Sequence, residues 1–241
     1  AEGIAGALLA GIKNRLQEYV THATLFFDRD NLDAHYTYTF LRGIQEAIKS
    51  DYMNAASLDW APLVTLGRNI AESGRTKPFD HAHREREQFD AWLAGWAGVH
   101  TSLADVMQEL FHDHESKPVV DFTKHRDDLF FVMAYLLTFP NPEPADEKGS
   151  EAVIQEQGPG GSEYQASDPF TIAINTARGR AFQAFLQFVY QDGKKFSKPD
   201  FPKEAGSRIS EDVRKAYEDM LARENTRAIM FMLNGCARGQ C

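Results

Sequence analysis

Apolar residues recur along most of this chain at intervals of three or four positions, the spacing that places them on one face of an α-helix. Nowhere does the sequence alternate apolar and polar residues with the β-branched composition that is typical of strands. We therefore predict an all-α fold that forms a single helical domain over 1–241. The pattern indicates about eight helices, at 3–27, 31–50, 58–74, 85–113, 118–138, 168–192, 208–223 and 225–234.

Residues that favour helix ends support these boundaries. Asn31 is placed to cap the second helix, and Ser57 or Asp59 is placed to cap the third. Gly74 and Gly193 stand where helices are predicted to end, and glycine is the residue that most readily takes the conformation of a helix exit.

The segment 140–166 interrupts the helical pattern. It is rich in Pro and Gly and holds six acidic residues against one lysine. Such a composition cannot bury enough apolar surface to offset the entropy of ordering the chain. We interpret it as a flexible, solvated loop between helices. The alternative is a loop that binds a partner or regulates the protein.

The helix predicted at 168–192 carries an arginine inside its apolar stripe. On a helical wheel, Arg178 falls near the middle of the apolar face, with Asn175 and Gly179 at its edge. A buried guanidinium is costly without a partner, so we expect Arg178 to meet a carboxylate or several carbonyls. Gly179 costs about 1 kcal/mol relative to alanine inside a helix. We expect its bare Cα to permit close approach of a neighbouring backbone.

The same placement of arginine recurs along the chain. Arg126 lies on the apolar stripe of the helix predicted at 118–138, and Arg227 lies near the start of the last helix. The spacings are 178 − 126 = 52 and 227 − 178 = 49 residues. Helical units at a near-constant period indicate a HEAT-like α-solenoid or an irregular helical repeat domain, in which buried polar residues link neighbouring units. The candidate carboxylates for Arg126 and Arg178 are Asp127, Asp128, Asp212 and Glu224.

The stretch DPFTIAINTARGRAFQAF, 168–185, resembles a signature of helical-repeat regions in very large bacterial ATP-binding proteins, the STAND-type NTPases and related antiphage-defence proteins. The chain departs from that signature at Ala177, where valine is usual. The resemblance implies a HEAT-like sensor or scaffold region, with the NTPase and the effector elsewhere in a longer protein. Its shared elements are Asp168-Pro169, Ala173-Ile174-Asn175-Thr176, Arg178-Gly179 and Ala181.

Charge and composition narrow the classes of partner. The formal net charge of −9 argues against a nucleic-acid partner, because such proteins usually show a basic excess. No apolar run approaches the roughly 20 residues of a membrane span, so no membrane partner is expected. The two cysteines, Cys236 and Cys241, build no disulfide framework and suit the reducing cytoplasm.

Both ends of the chain look like cuts, which predicts a fragment of a larger protein. The chain begins without Met and stops directly after Cys241. It also lacks the G-x-x-x-x-G-K-[ST] phosphate loop, so we expect any NTPase or effector activity to lie outside it.

One histidine-rich pattern keeps an enzymatic alternative open. His81 and His83 form one H-x-H pair, and His112 and His114 flank Asp113 in a second. If the fold brings them together, they could hold a metal as in an HD-like phosphohydrolase. Residues i and i+2 diverge on a helix, so each pair would have to lie in a loop or at a helix end. We therefore interpret these residues as solvated helix ends.

These observations favour a non-catalytic α-helical repeat scaffold or recognition module of a large bacterial multidomain protein. We expect no cofactor, and we expect the partner to be a protein or a neighbouring domain of the same chain. The metal-dependent phosphohydrolase is the alternative, and a structural spacer without any ligand is a third hypothesis.

Overall fold

The fold is taken from a computed structural model that describes residues 2–79, 95–113, 118–142, 144, 174–194, 209–227, 229 and 230. Every regular element within these ranges is helical, which confirms the all-α prediction for the described part of the chain. The helices are α1 (Glu2–Asn14), α2 (Leu16–Thr21), α3 (Ala34–Ser50), α4 (Tyr52–Ala55), α5 (Ala61–Thr76), α6 (Trp96–Phe111), α7 (Phe122–Leu136), α8 (Ala177–Lys194) and α9 (Glu211–Arg223), with a 3-10 turn at Ala23–Phe26.

The main packing contacts join helices that are two or three elements apart in the chain, around one continuous core. Helix α1 packs on α3, α3 on α6, and α6 on α8, while α5 packs on α7. Each of these helices buries one apolar face, which is the property that the periodicity of the sequence predicts. The largest side chains that are fully buried include Phe40, Trp60, Phe111, Phe182, Phe185 and Phe188.

The first predicted helix, 3–27, is in fact broken. Helix α1 ends at Asn14, α2 follows from Leu16, and the 3-10 turn follows from Ala23. The break lets Tyr19 fold back over Gly11, where a Cβ atom would collide with the Tyr19 ring. Periodicity alone cannot show this break, because the apolar spacing continues through it.

A nearby aspartate replaces one of the predicted caps. Asp33 caps α3, since its carboxylate accepts a hydrogen bond from the backbone N–H of His35 at 2.8 Å. Asn31 instead donates its side-chain amide to Asp28 at 2.9 Å, so it belongs to the preceding turn. At the start of α5, the Asp59 carboxylate accepts a hydrogen bond from the N–H of Ala61 at 3.3 Å. Of the two predicted caps, Ser57 and Asp59, the structure therefore uses Asp59.

Several predicted helices extend beyond the described residues. The prediction at 85–113 is described only from residue 95, where α6 follows, and the prediction at 168–192 only from residue 174. In 225–234, residues 227, 229 and 230 are helical. Most of the acidic segment 140–166 also lies outside the described residues. Within the described part of the chain, no helix combines the length and the apolar character that crossing a bilayer requires.

Contrary to the prediction, Gly74 does not end its helix. It lies buried inside α5, which continues to Thr76. A Cβ atom at Gly74 would collide with the hydroxyl of Tyr135 on α7 and lie 2.9 Å from Cε2 of Phe79. The Tyr135 hydroxyl cannot easily move, because it is hydrogen-bonded to Nε2 of the buried His100 at 2.8 Å. The glycine therefore permits the close approach of α5 and α7.

We expect Gly74→Ala to lower the free energy of unfolding by about 1–3 kcal/mol, the cost of overpacking a filled core. Urea denaturation measures the change. Gly6→Ala is the matched control, because Gly6 lies in helix α1 and a Cβ atom there meets nothing within 4 Å. The control should stabilise the protein slightly through helix propensity. Equal behaviour of the two variants would contradict the packing role of Gly74.

Candidate functional site

Arg126 ties three helices together. It lies in the second turn of α7, with its side chain only 16% exposed. Its Nη1 and Nη2 atoms donate to the two carboxylate oxygens of Asp212 on α9, at 2.6 and 2.9 Å. Its Nε atom donates to Asp192 on α8 at 3.0 Å. A guanidinium suits this position because its planar fork can satisfy carboxylates on two helices at once.

Asp192 is the most deeply buried member of this cluster. Its side chain is 0% exposed, and its second carboxylate oxygen accepts from the backbone N–H of Ser210 at 3.1 Å. Ser210 is the residue immediately before α9. One buried carboxylate therefore joins α7 to the start of α9, and the charge of Arg126 helps to compensate its own.

Asp212 gives the cluster a defined pH dependence. The hydrogen bonds from Arg126 lower the pKa of Asp212 below its ordinary value of 3.8, against an opposing effect of burial. A lowered pKa in the folded state means that the ion pair stabilises the protein above pH 3.8 and that this stabilisation is lost as the pH falls through the lowered pKa.

We expect Asp212→Asn to lower the urea midpoint at pH 7, and we expect the difference from the unsubstituted protein to shrink as the pH falls below 3.8. Urea titrations from pH 7 to pH 3 measure this difference. Asp219→Asn on the same helix is the control, because Asp219 is exposed and no ion pair to it is found among the described residues. A difference that is constant with pH would contradict the role of the Asp212 charge.

Helix α8 begins at Ala177, after two helical residues at 174 and 175 and a bend at Thr176, and a distant residue caps it. The side-chain oxygen of Asn141 accepts from the N–H of Ala177 at 3.0 Å, and its carbonyl accepts from the N–H of Arg178 at 2.8 Å. These two bonds satisfy N–H groups that a helix start otherwise leaves unpaired. Arg178 therefore lies in the first turn of α8 and not in mid-helix.

Arg178 gathers acceptors from two chain segments that follow helices. Nη2 donates to Glu224 at 3.1 Å and to the carbonyl of Pro142 at 2.7 Å, and Nη1 donates to the carbonyl of Phe139 at 3.1 Å. The Arg178 and Glu224 side chains are 12% and 2% exposed. Glu224 also accepts from the N–H of Thr226 at 2.8 Å. The start of α8 is thereby fastened to the ends of α7 and α9.

These contacts confirm the prediction that both arginines meet carboxylates. Asp212 and Glu224 are partners as predicted, and Asp127 also accepts from Arg126 at 3.1 Å. The candidate Asp128 is wrong as a partner of these two arginines, because it forms its ion pair with Arg68 on α5. Asp128 points toward α5 because α5 and α7 are packed side by side.

The two arginines are not equivalent positions of a repeat, contrary to their overlay in the sequence. Arg126 lies in the second turn of α7, which packs on α5, whereas Arg178 lies in the first turn of α8, which packs on α6. The similar spacings of 52 and 49 residues between successive arginines therefore do not mark a common position in three units.

Three further residues were predicted to be buried polar or packing positions. Gly179 is buried in α8, as expected. Asn175 is exposed, because the backbone bends at Thr176 and so Asn175 does not share the wheel of α8. Arg227 is also exposed, at the first residue of a helical stretch beyond α9.

A cleft of about 820 Å³ opens beside Arg178. Its walls are the end of α7 with the segment after it, and one face of α9. The apolar part of its surface includes Leu137, Pro140 and Met220. Its charged lining residues are Arg75, Arg178, Asp219, Arg223 and Glu224.

The histidine-rich pattern is only partly described. His81, His83 and His114 lie outside the described residues, so the predicted metal cluster stays a hypothesis there. His112 is exposed at the end of α6. Asp113 accepts from Gln191 on α8 at 2.7 Å and forms an ion pair with Lys194. Among the described residues, no group of three or more His, Cys, Asp or Glu is placed to hold a metal ion.

The environment of Asp113 is that of a structural ion pair. Burial disfavours its charged form, but the hydrogen bonds from Lys194 and Gln191 outweigh burial and hold the pKa of Asp113 below its ordinary value. Gln191 also donates to the carbonyl of Phe111 at 2.7 Å, so this group fastens the end of α8 to the end of α6.

Residues that carry these sites escaped the sequence reasoning. Asn141 caps a helix 36 residues further along, and Asp192 contacts an arginine 66 residues earlier. Neither pairing leaves a local signal. Comparison with known proteins adds no assignment: no family model, no curated protein and no solved structure matches the chain.

Proposed function

We propose that this chain is a non-catalytic α-helical repeat module with a HEAT-like stack, which recognises a protein partner or a neighbouring domain of its own chain. The resemblance of 168–185 supports its assignment to a large bacterial, cytoplasmic multidomain protein of the NTPase or defence type. The order of packing supports the stack, since α1, α3, α6 and α8 each contact the next along the chain while α5 contacts α7.

Ion pairs between different helices support a role as a rigid scaffold. Lys49 on α3 lies 3.1 Å from Glu109 on α6, and Arg126 joins α7 to α8 and α9. Such links fix the helices relative to one another, so a surface built by several helices keeps one shape. A preformed surface binds with a smaller entropic cost than one that must be ordered on binding.

The observation that carries the proposal is the cleft beside Arg178. Its volume of about 820 Å³ lies in the range of ligand-binding clefts. Its walls come from residues far apart in the sequence, such as Arg75, Leu137 and Met220. A partner that fills it would contact several helical units at once, which is how helical-repeat proteins bind.

Calorimetry and metal analysis of the purified chain test the non-catalytic assignment. We expect a cooperatively unfolding, highly helical protein that gives no saturable heat with Mg-ATP and contains no stoichiometric Zn, Fe or Mn. Saturable ATP binding would contradict the assignment. Stoichiometric metal that is lost on His112→Ala would favour the HD-like phosphohydrolase instead.

A further inference from the structure

The cleft beside Arg178 contains two arginines that form no ion pair with any carboxylate in the described part of the chain. Arg75 at the end of α5 and Arg223 at the end of α9 both line the cleft and are exposed. Neither has a carboxylate within ion-pair distance among the described residues. The chain holds 35 acidic against 26 basic residues, so partners for arginine are abundant.

Seven other described arginines have an acidic partner. Arg29, which has none among the described residues, is satisfied by carbonyls, including that of Pro78 at 2.8 Å. Arg75 and Arg223 therefore differ from most described arginines, and they face the same cleft. The arginines with a carboxylate within ion-pair distance are Arg15, Arg42, Arg68, Arg126, Arg178, Arg180 and Arg214.

Arg75 is already held in a position to bind. Its guanidinium lies 4.1 Å from the centre of the Phe131 ring, and Nη2 donates to the Phe131 carbonyl at 3.5 Å. These contacts occupy one face of the Arg75 guanidinium, against the Phe131 ring, and one of its five N–H donors. The remaining donors are available to an acceptor that enters the cleft.

The acidic residues of the cleft do not cancel this charge. Glu224 is 2% exposed and is bound by Arg178, so it neutralises that arginine and not the other two. Asp219 is the one remaining carboxylate among the lining residues. Among the described lining residues, two arginines thus oppose one aspartate, and this charge balance favours an anionic ligand although the whole chain is acidic.

The apolar lining selects among anionic ligands. Pro140 is half-buried at the cleft, and Leu137 and Met220 add small apolar areas to its lining, with 5% and 7% of their surface exposed. A small inorganic anion would leave these apolar areas uncovered. None of the described lining residues is aromatic, so this part of the cleft offers no ring on which nucleic-acid bases could stack. A peptide that places an apolar side chain between carboxylates matches both parts of the lining.

We propose that this cleft binds an acidic peptide segment of the protein partner, with carboxylates on Arg75 and Arg223 and an apolar side chain against Leu137 and Met220. This inference rests on the proposed recognition function and assigns the chemistry of its ligand. Arginine favours the pairing because its fork binds a carboxylate through two parallel hydrogen bonds.

A displayed library of random twelve-residue peptides, selected against the purified chain, tests the proposal. We expect enrichment of peptides with Asp or Glu on either side of apolar residues. Binding of the enriched peptides, measured by fluorescence anisotropy, should weaken about tenfold for each of Arg75→Gln and Arg223→Gln. Arg15→Gln, an exposed arginine of the N-terminal region, is the matched control and should not change the affinity.

The other outcomes separate this inference from the function on which it rests. Peptides that bind in a manner sensitive to Met220→Asp but insensitive to both arginine variants would overturn the acidic ligand and leave the recognition module standing. Competition by a single-stranded oligonucleotide at lower concentration than the peptides would assign the cleft to nucleic acid and overturn the proposal. Failure to enrich any peptide that depends on a cleft residue would overturn both.

Discussion

Arg126→Met is expected to lower the free energy of unfolding by about 3–5 kcal/mol, the cost of breaking a buried ion pair from one side. The variant keeps most of the volume of the arginine stem but removes the guanidinium from Asp192, whose contacts also include the backbone N–H of Ser210. Because Asp192 is 0% exposed, water cannot replace the lost partner. Urea denaturation followed by circular dichroism measures the loss.

Arg68→Met is the matched control for this variant. Arg68 also joins α7 to another helix through a carboxylate, Asp128, but the two side chains are 44% and 43% exposed. Exposed ion pairs contribute little to stability, so the control should leave the urea midpoint nearly unchanged. Equal losses in the two variants would show that burial of Asp192 does not set the cost.

Replacing both Arg126 and Asp192 separates the cost of the unpaired buried charge from the cost of lost packing. In Arg126→Met combined with Asp192→Leu, no charge is left uncompensated between α7 and α8, and the double variant should regain part of the stability lost in Arg126→Met alone. If the double variant loses more unfolding free energy than the two single variants lose together, the ion-pair explanation is contradicted. The loss would then be assigned to packing around Phe188.

The comparison of sequence with structure shows which features have local causes. An arginine on an apolar stripe predicts a carboxylate partner, because the cost of burying its charge is a property of the residue itself. The helical class follows likewise from a period that is visible in short windows. Both predictions depend on neighbours within a few residues along the chain, and the described residues agree with them.

Features that depend on distant segments could not be predicted in the same way. The start of α8 is set by Asn141, which lies 36 residues before Ala177. The break after Asn14 depends on how Tyr19 packs over Gly11, and the apolar spacing does not change there. The cleft depends on the relative placement of α5, α7 and α9, which no single motif encodes.

Arg178→Met is expected to cost about 3–5 kcal/mol as well, because it removes the partner of Glu224, a carboxylate that is 2% exposed. It also removes the donors to the carbonyls of Phe139 and Pro142. Glu224 keeps the backbone N–H of Thr226, so its charge is left partly and not wholly unsatisfied. Thermal and urea unfolding measure the change.

Arg223→Met separates this structural role from the role of the cleft. Arg223 lines the same cleft as Arg178, but it is exposed and has no carboxylate partner among the described residues. The variant should therefore keep the stability of the protein while it weakens binding of acidic peptides.

Combining Arg178→Met with Glu224→Met should restore about 1 kcal/mol or more relative to the sum of the two single losses. If the two losses are simply additive, Arg178 stabilises the ends of α7 and α9 through its carbonyl contacts and not through its ion pair. The pairing predicted from the apolar stripe would then be present in the structure but would contribute little to stability.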